Sequence, residues 1–324
     1  MTGHGVLLDL LPLASVDFDR LFQTLVDSAT LGSIYALIAL GYTMVYGILK
    51  LLNFAHGDVF MIGAYIGLGV LHLFGGAANP AISIWLVIVL MVVAAMVGCA
   101  VVGVTIERFA YRPLRTAPRI APLISALGVS FFLQYSVQLL LGAQHKTYDT
   151  FLMDGGRLFE SVIAWGPLDV SLLRFIVIVS TAALMLALWM IVSRTRMGKA
   201  MRATAVDRDA AAMMGIDVDR VIVFTFVLGS ALAGAGGVLF AMRSDIYPQM
   251  GFIVGLAGFV AAVIGGIGSV PGAMLGGYLL GLIESVTQTY ITTQWSNLVI
   301  FSVLIVFMLV RPQGLLGRPE IRKV

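Results

Sequence analysis

Runs of about 20 apolar residues recur along nearly the whole chain, and that recurrence restricts the fold more than any motif does. A helix rises about 1.5 Å per residue, so roughly 20 residues cross a hydrocarbon core ~30 Å thick. Candidate crossings fall at residues 22–48, 58–75, 81–106, 120–141, 171–193, 221–242, 252–268, 272–290 and 297–311. With 60% of 324 residues hydrophobic and only 11% charged, and a mean hydropathy of +1.00, the chain reads as an integral membrane protein. Transmembrane strands alternate apolar and polar residues over about ten positions, and no such alternation is present. The predicted fold is all-α: a polytopic transmembrane helical bundle of about 8–9 membrane segments, with broken or re-entrant helices, forming one membrane domain over residues 1–324.

Basic residues orient the bundle. The 107–119 connection "ERFAYRPLRTAPR" holds Arg108, Arg112, Arg115 and Arg119; the 194–220 connection holds Arg194, Arg196, Lys199, Arg202, Arg208 and Arg220; the tail holds Arg311, Arg318, Arg322 and Lys323. The positive-inside rule puts all three in the cytoplasm. Parity then turns the 142–170 loop outward, where an ordered cap or a short interfacial helix is expected, and puts the amino terminus outside. The first 20 residues carry Asp9, Asp17 and Asp19 but no basic n-region, so they do not read as a cleaved signal peptide. Cys99, the only cysteine, excludes an intramolecular disulfide and any multi-cysteine metal site.

Energy for active transport would come from outside this chain. No GxxxxGK[ST] phosphate loop is present, so no nucleotide hydrolysis is expected here. Gradient-driven carriers place ionisable residues at mid-membrane, but the acids in or near the crossings are few: Asp27, Asp58, Glu107 and Glu284. Asp27 and Glu107 lie near segment ends and read as interfacial. Glu284, four residues before Gln288, is the best buried-carboxylate candidate. An ion-gradient-driven secondary transporter and a passive channel for small polar solutes remain the alternatives.

Glycines mark where helices meet or break. Gly63 and Gly67, and Gly268, Gly272 and Gly276, stand four apart, a spacing that lets helix backbones approach closely in lipid. "GSVPG" adds Pro271, which breaks a helix between two short segments; such breaks occur at membrane depth only where protein or a cavity surrounds them. "LKLLNFAHGDVFMIG", residues 49–63, has the same character. Asn53, His56 and Asp58 would stop one helix, Gly57 would permit a tight turn, and Asp58 is placed to cap the next helix. A polar turn at the membrane surface accounts equally for that spacing. As an enzyme site, His56 and Asp58 lack a nucleophile and an oxyanion site, so catalysis is not expected.

The 194–220 connection, rich in alanine, methionine and charge, predicts short amphipathic helices outside the membrane. Its stretch Asp209, Ala210, Ala211 through Gly215 fits acid-Ala-Ala-x-x-x-Gly and resembles the EAA loop of ABC importer permeases, although the downstream Ile-x-Leu-Pro of the full motif is missing. "LGSIYALIALGYTMVYGILKLLNFAHGDVFMIGAY", "RFAYRPLR", "GKAMRATAVDRDAAAMMGI" and "GGIGSVPGAMLGGYLLGLIE" follow one another in the right order. Together they resemble the branched-chain amino acid ABC importer permeases of the LivH type over most of the chain.

The resemblance implies a multi-pass subunit of the bacterial inner membrane with no catalytic site, metal or cofactor of its own. It also implies partners: a homologous second permease subunit of the LivM type, two cytoplasmic ABC ATPase subunits that hold ATP and Mg²⁺, and a periplasmic substrate-binding protein. The lipid bilayer surrounds it, and nucleic acid is not expected. Branched-chain amino acids are the expected cargo, with related permeases serving amides and urea. Asn53, His56, Asp58 and Glu284 become candidates for the path or gate, and 194–220 for ATPase coupling.

Overall fold

The computed structural model describes residues 18–74, 83–115, 117–118, 120–148, 161–165 and 168–317. Asp9, Asp17, Arg119, Arg318, Arg322, Lys323 and much of the outward loop lie outside that set. Among the described residues nine helices follow the predicted crossings: α1 (Phe18–Leu49), α2 (His56–Leu73), α3 (Ile84–Ile106), α4 (Ile120–Leu141), α5 (Leu172–Arg194), α8 (Val218–Ala241), α9 (Met250–Gly265), α10 (Val270–Tyr290) and α11 (Ser296–Val310). Two short helices, α6 (Arg196–Val206) and α7 (Arg208–Met213), fill the long basic connection. Among the described residues eight helices are long and apolar enough to span a membrane, α11 when its lead-in turn from Thr293 is included; α9, at 16 residues, is shorter.

α1 is the axis of the bundle. Its apolar window is 89% buried, against 11% for α11, so α1 is wrapped by protein while α11 presents apolar side chains outward. α10, α8 and α9 pack on α1, and α2 and α3 pack on α8. Lipid supplies no hydrophobic force between helices, so association rests on close backbone packing. At the α2–α8 contact a Cβ on Gly63 would lie 2.5 Å from the Cα of Gly234 and 2.7 Å from its carbonyl. At α1–α10, a Cβ on Gly281 would run into the backbone of Gly32.

Charge marks the two ends. Asp27, near the start of α1, pairs with Arg174 of α5 at 3.0 Å and lies 3.7 Å from Arg243, just past α8. At the other end Arg208 hydrogen-bonds the carbonyl of Ile48. The beginning of α1 therefore sits opposite the basic connections, which agrees with an outside amino terminus under the positive-inside rule.

The outward loop, expected as an ordered cap or a short interfacial helix, lies in part outside the described residues. Its described part is an antiparallel hairpin, β1 (Ser161–Trp165) with β2 (Leu168–Ser171), paired from Ser161↔Ser171 to Trp165↔Leu168. Two nearer contacts fasten the loop: Lys146 bridges Ile246, and the Tyr148 hydroxyl donates to the Ala64 carbonyl at 2.6 Å. Pairing strands satisfies backbone polar groups at the membrane rim as well as a helix would.

Gly63→Leu should force α2 from α8 and destabilise the protein by about 1–3 kcal/mol or more, as overpacking does. Gly69→Ala, where an added Cβ meets nothing within 4 Å, should leave stability unchanged. Thermal unfolding in detergent compares the two.

Candidate functional site

The break between α1 and α2 begins at the cytoplasmic end of α1, where Arg208 meets Ile48. α1 stops at Leu49, and Lys50 takes φ 55°, the left-handed region that ends a helix. The chain then folds back. His56, the first residue of α2, fits against Gly41, where an added Cβ would strike its imidazole. Gly41 lies eight residues before the end of α1, which is about 12 Å along the helix. The connection therefore runs back along α1, and α2 starts buried in the bundle.

Each predicted residue has a definite place. Asn53 is buried, and its Oδ1 accepts a hydrogen bond from the Tyr111 hydroxyl at 3.2 Å. His56 is buried edge-on to Tyr42, ring centroids 4.9 Å apart, with Nε2 unpartnered. Gly57 does not form the turn, which Lys50 makes instead. It lies in the first turn of α2, where its missing side chain admits Gly251 and Gly255 of α9. Asp58 does not cap α2 either: the N-cap is Ala55, with no side-chain cap bond. As the third residue of α2 it could reach back to the first amides, but its carboxylate turns to the α9 side instead.

Asp58 is the most unusual side chain of the group. It is fully buried and neither carboxylate oxygen has a hydrogen-bond partner. Ser130 and Gln134 of α4 face it but are bonded to each other at 3.2 Å. A Cβ on Gly251 would lie 2.7 Å from Asp58 Oδ1, so the first turns of α2 and α9 meet at this carboxylate. Each helix N-terminus carries roughly half a positive charge, and two of them offset part of the cost of burying an anion.

Glu284 belongs to a different cluster. Its Oε2 accepts from the Tyr35 hydroxyl at 2.6 Å and its Oε1 from Gln288 at 2.9 Å. Arg243 is close enough to interact electrostatically, which links Glu284 to the outer Asp27 and Arg174 pair rather than to Asn53, His56 and Asp58. The "GSVPG" turn is elsewhere again. Pro271 stands in the first turn of α10, Ser269 caps it by accepting from the Gly272 amide at 3.2 Å, and Gly268 has φ 94°. Leu315 and Leu316 hydrogen-bond the Ile264 and Gly265 carbonyls beside it. It is a turn at the cytoplasmic end, not a break at membrane depth. Gly272 and Gly276 serve the α9–α10 approach, and Gly67 makes room for the Tyr148 hydroxyl.

The 194–220 connection, the candidate for coupling, is well formed. Asp207 caps α7 by accepting from the amides of Asp209 and Ala210, both at 3.1 Å. At its other end Gly215 has φ 81°, the Ile216 amide reaches the Ala211 carbonyl, and the Gly215 amide reaches that of Ala212. This is the Schellman ending, which requires a left-handed residue just past the helix. Ala211 is buried, while Met213 and Met214 are 82% and 83% exposed. Burial, with Arg115 nearby, lowers the Arg208 pKa from its ordinary value.

Sequence reasoning missed Tyr111, Ser130, Gln134 and Arg243. Only spatial contact across helices gives these residues their roles, although a Ser and a Gln four apart in the apolar α4 were a visible signal.

A bundle of apolar spans with a polar break between its first two helices and an exposed helix on its basic face has the form of a polytopic membrane transport subunit. The sequence profile described as the branched-chain amino acid transport system permease component matches residues 24–309. The high-affinity branched-chain amino acid transport system permease protein LivH of Salmonella typhimurium is 41% identical over 314 residues, covering 96% of this chain and 100% of the relative. BraD of Pseudomonas aeruginosa, with the same description, is 43% identical over 303 residues, 93% of this chain and 97% of the relative. LivM of Escherichia coli is 26% identical over 319 residues, 92% of this chain and 71% of the relative. No solved structure matches the chain. The chain belongs to the LivH-type permeases of branched-chain amino acid ABC importers.

Asp58→Asn keeps the shape of the side chain and removes the buried charge. Thermal stability should hold or rise, because an unpaired buried carboxylate is costly, while transport should fall at least about tenfold, the usual opposition between stability and a functional charge. Uptake and unfolding measured on the same preparation test this.

Proposed function

We propose that this chain is one of two homologous permease subunits of an importer in the bacterial inner membrane, moving branched-chain amino acids into the cell. The observation that carries the reading is α7, a capped helix with exposed methionines on the basic face of a chain similar to permeases throughout its length. A rigid projecting helix suits an ATPase groove, and two ATPase subunits holding ATP and Mg²⁺ supply the energy. A periplasmic binding protein delivers the ligand to the opposite face. The names of the relatives support the cargo, and their similarity to LivM supports a homologous second subunit.

In this reading all of residues 1–324 form one permease domain without a cofactor, and the Asn53, His56 and Asp58 group shapes the path or its gate. A zwitterion carries an ammonium that an unpartnered carboxylate attracts. Asn53 and His56 add polar surface within an otherwise apolar wall. Glu284 serves the outer mouth, where Arg243 lies near it.

Reconstitution in proteoliposomes with the two ATPases, the second permease and the binding protein tests this directly. Uptake of labelled leucine, isoleucine or valine should require ATP and survive collapse of ion gradients. Uptake by this chain alone, driven by a proton or sodium gradient, would overturn the reading. Wild-type rates for both Asn53→Ala and His56→Ala would remove these residues from the path.

Gly215→Val should strain the left-handed position by about 1–2 kcal/mol and disturb the end of α7, although nothing lies within 4 Å of its Cβ position. Binding-protein-stimulated hydrolysis should fall. Gly215→Asn, which tolerates this conformation, should retain most of it.

A further inference from the structure

The six residues from Lys50 to Ala55 join α1 to α2 without a helix or strand of their own, and they are held from two directions. From one side, the Tyr111 hydroxyl shares its proton between the Leu52 carbonyl at 3.1 Å and Asn53 Oδ1 at 3.2 Å. Tyr111 is itself fixed: its ring lies 5.4 Å from that of Phe226 in α8. Nearby, Arg115 pairs with Glu107 and with Asp219 at the start of α8, and Arg112 reaches Asp219 at 2.7 Å. The ends of α3 and α8 therefore form a fixed frame.

From the other side comes a single arm. Arg208, the first residue of α7, donates to the Ile48 carbonyl through Nε at 3.0 Å and Nη2 at 2.5 Å. Ile48 is in the last turn of α1, where carbonyls have no intrahelical donor. A cation is also favoured there by the helix dipole. Within α7 only Ala211 is buried, so this bond is its main grip on the bundle core. Beside it lies a cavity of about 340 Å³, lined by Ile48, Leu51, Arg115, Thr204, Val206 and Arg208 among others. Neither end of the bond is packed solid, and the arm has space in which to move.

We propose that Arg208 is a positioning residue that ties the docking helix α7 to the end of α1, so that displacement of α7 is passed through the Lys50–Ala55 turn to His56 and Asp58. This rests on the reading that α7 docks an ATPase. Lys50, in its left-handed conformation, is the hinge, and the Tyr111 frame fixes the far side of the turn. A pull at Ile48 then rotates the start of α2 instead of shifting the whole bundle. Small movements of one element become discrete rearrangements in packed interiors because those interiors do not deform continuously.

The test compares Arg208→Ala, Arg208→Gln and Arg208→Lys in the reconstituted complex, with ATP hydrolysis and uptake measured on the same vesicles. Arg208→Ala should assemble and hydrolyse ATP while uptake per ATP falls at least about tenfold, the scale of a lost charge-assisted hydrogen bond. Arg208→Lys, which keeps one donor and the charge, should restore part of it. Arg208→Gln should fall between Ala and Lys. A merely structural role would lower hydrolysis and uptake together.

Spin labels on cysteines at positions 46 and 212, one on α1 before the hinge and one on α7, give a second readout that does not depend on how the Ala variant assembles, since Cys99 is buried. Their separation should stay the same with and without ATP when Arg208 is present. Unaltered uptake per ATP in both Ala and Gln variants, or a label separation that changes with ATP in the Arg208 protein, overturns the tie. Failure of the unsubstituted complex to couple ATP to uptake would instead overturn the importer reading.

Discussion

A backbone that leaves its helix inside a membrane exposes N–H and C=O groups that lipid cannot satisfy. The chain from Lys50 to Ala55 carries such groups from the cytoplasmic end of α1 to the buried start of α2. Asn53 and Ala55 are buried while Lys50 is exposed, and α1 beside them is buried nearly all round. Tyr111 reaches across from the end of α3 to take up the Leu52 carbonyl, and Arg208 reaches from α7 to take up that of Ile48. Both donors come from the basic connections, so those connections are part of the bundle.

Asp58 is held differently from the paired carboxylates. Asp27, Glu284, Glu107 and Asp219 each have a cation or bonded donor beside them. Asp58 has no cation beside it, only the hydroxyl of Ser130 and the amide of Gln134 facing it, and the two helix starts that meet there lower the cost of its charge. Ser130 and Gln134, bonded to one another, can turn toward a neighbour.

The crossings were legible in the sequence because lipid solvation imposes a long, uniform apolar signal. The helix α7 was legible because a left-handed C-terminal position favours glycine at a fixed distance, and Gly215 stands there. The residues of the break were legible as well, but their roles were not. Gly57 looked like a turn residue because glycine permits turns, yet what it provides is close approach to α9. Lys50, with an ordinary side chain, adopts the unusual dihedral. Proline in "GSVPG" signals a helix boundary but not its depth, and depth depends on the tail packing against Ile264 and Gly265. Tyr111, Gly251 and Arg208 act across 58 to more than 150 residues of sequence, a separation at which periodicity carries no information.

Rigidity is distributed unevenly along the membrane normal. At the outer end Asp27, Arg174 and Arg243 tie α1 to α5 and to the end of α8. At the inner end Arg112, Arg115, Glu107 and Asp219 tie α3 to α8. Between them glycine-to-backbone contacts recur, and His56 Nε2, both Asp58 oxygens and the Thr43 hydroxyl are buried there without partners. Glycine interfaces hold by shape alone, so helices can slide along them without breaking specific bonds. A protein that must open to one side and then the other needs firm ends and a middle that can change partners, and this sequence places its ion pairs and its glycines accordingly.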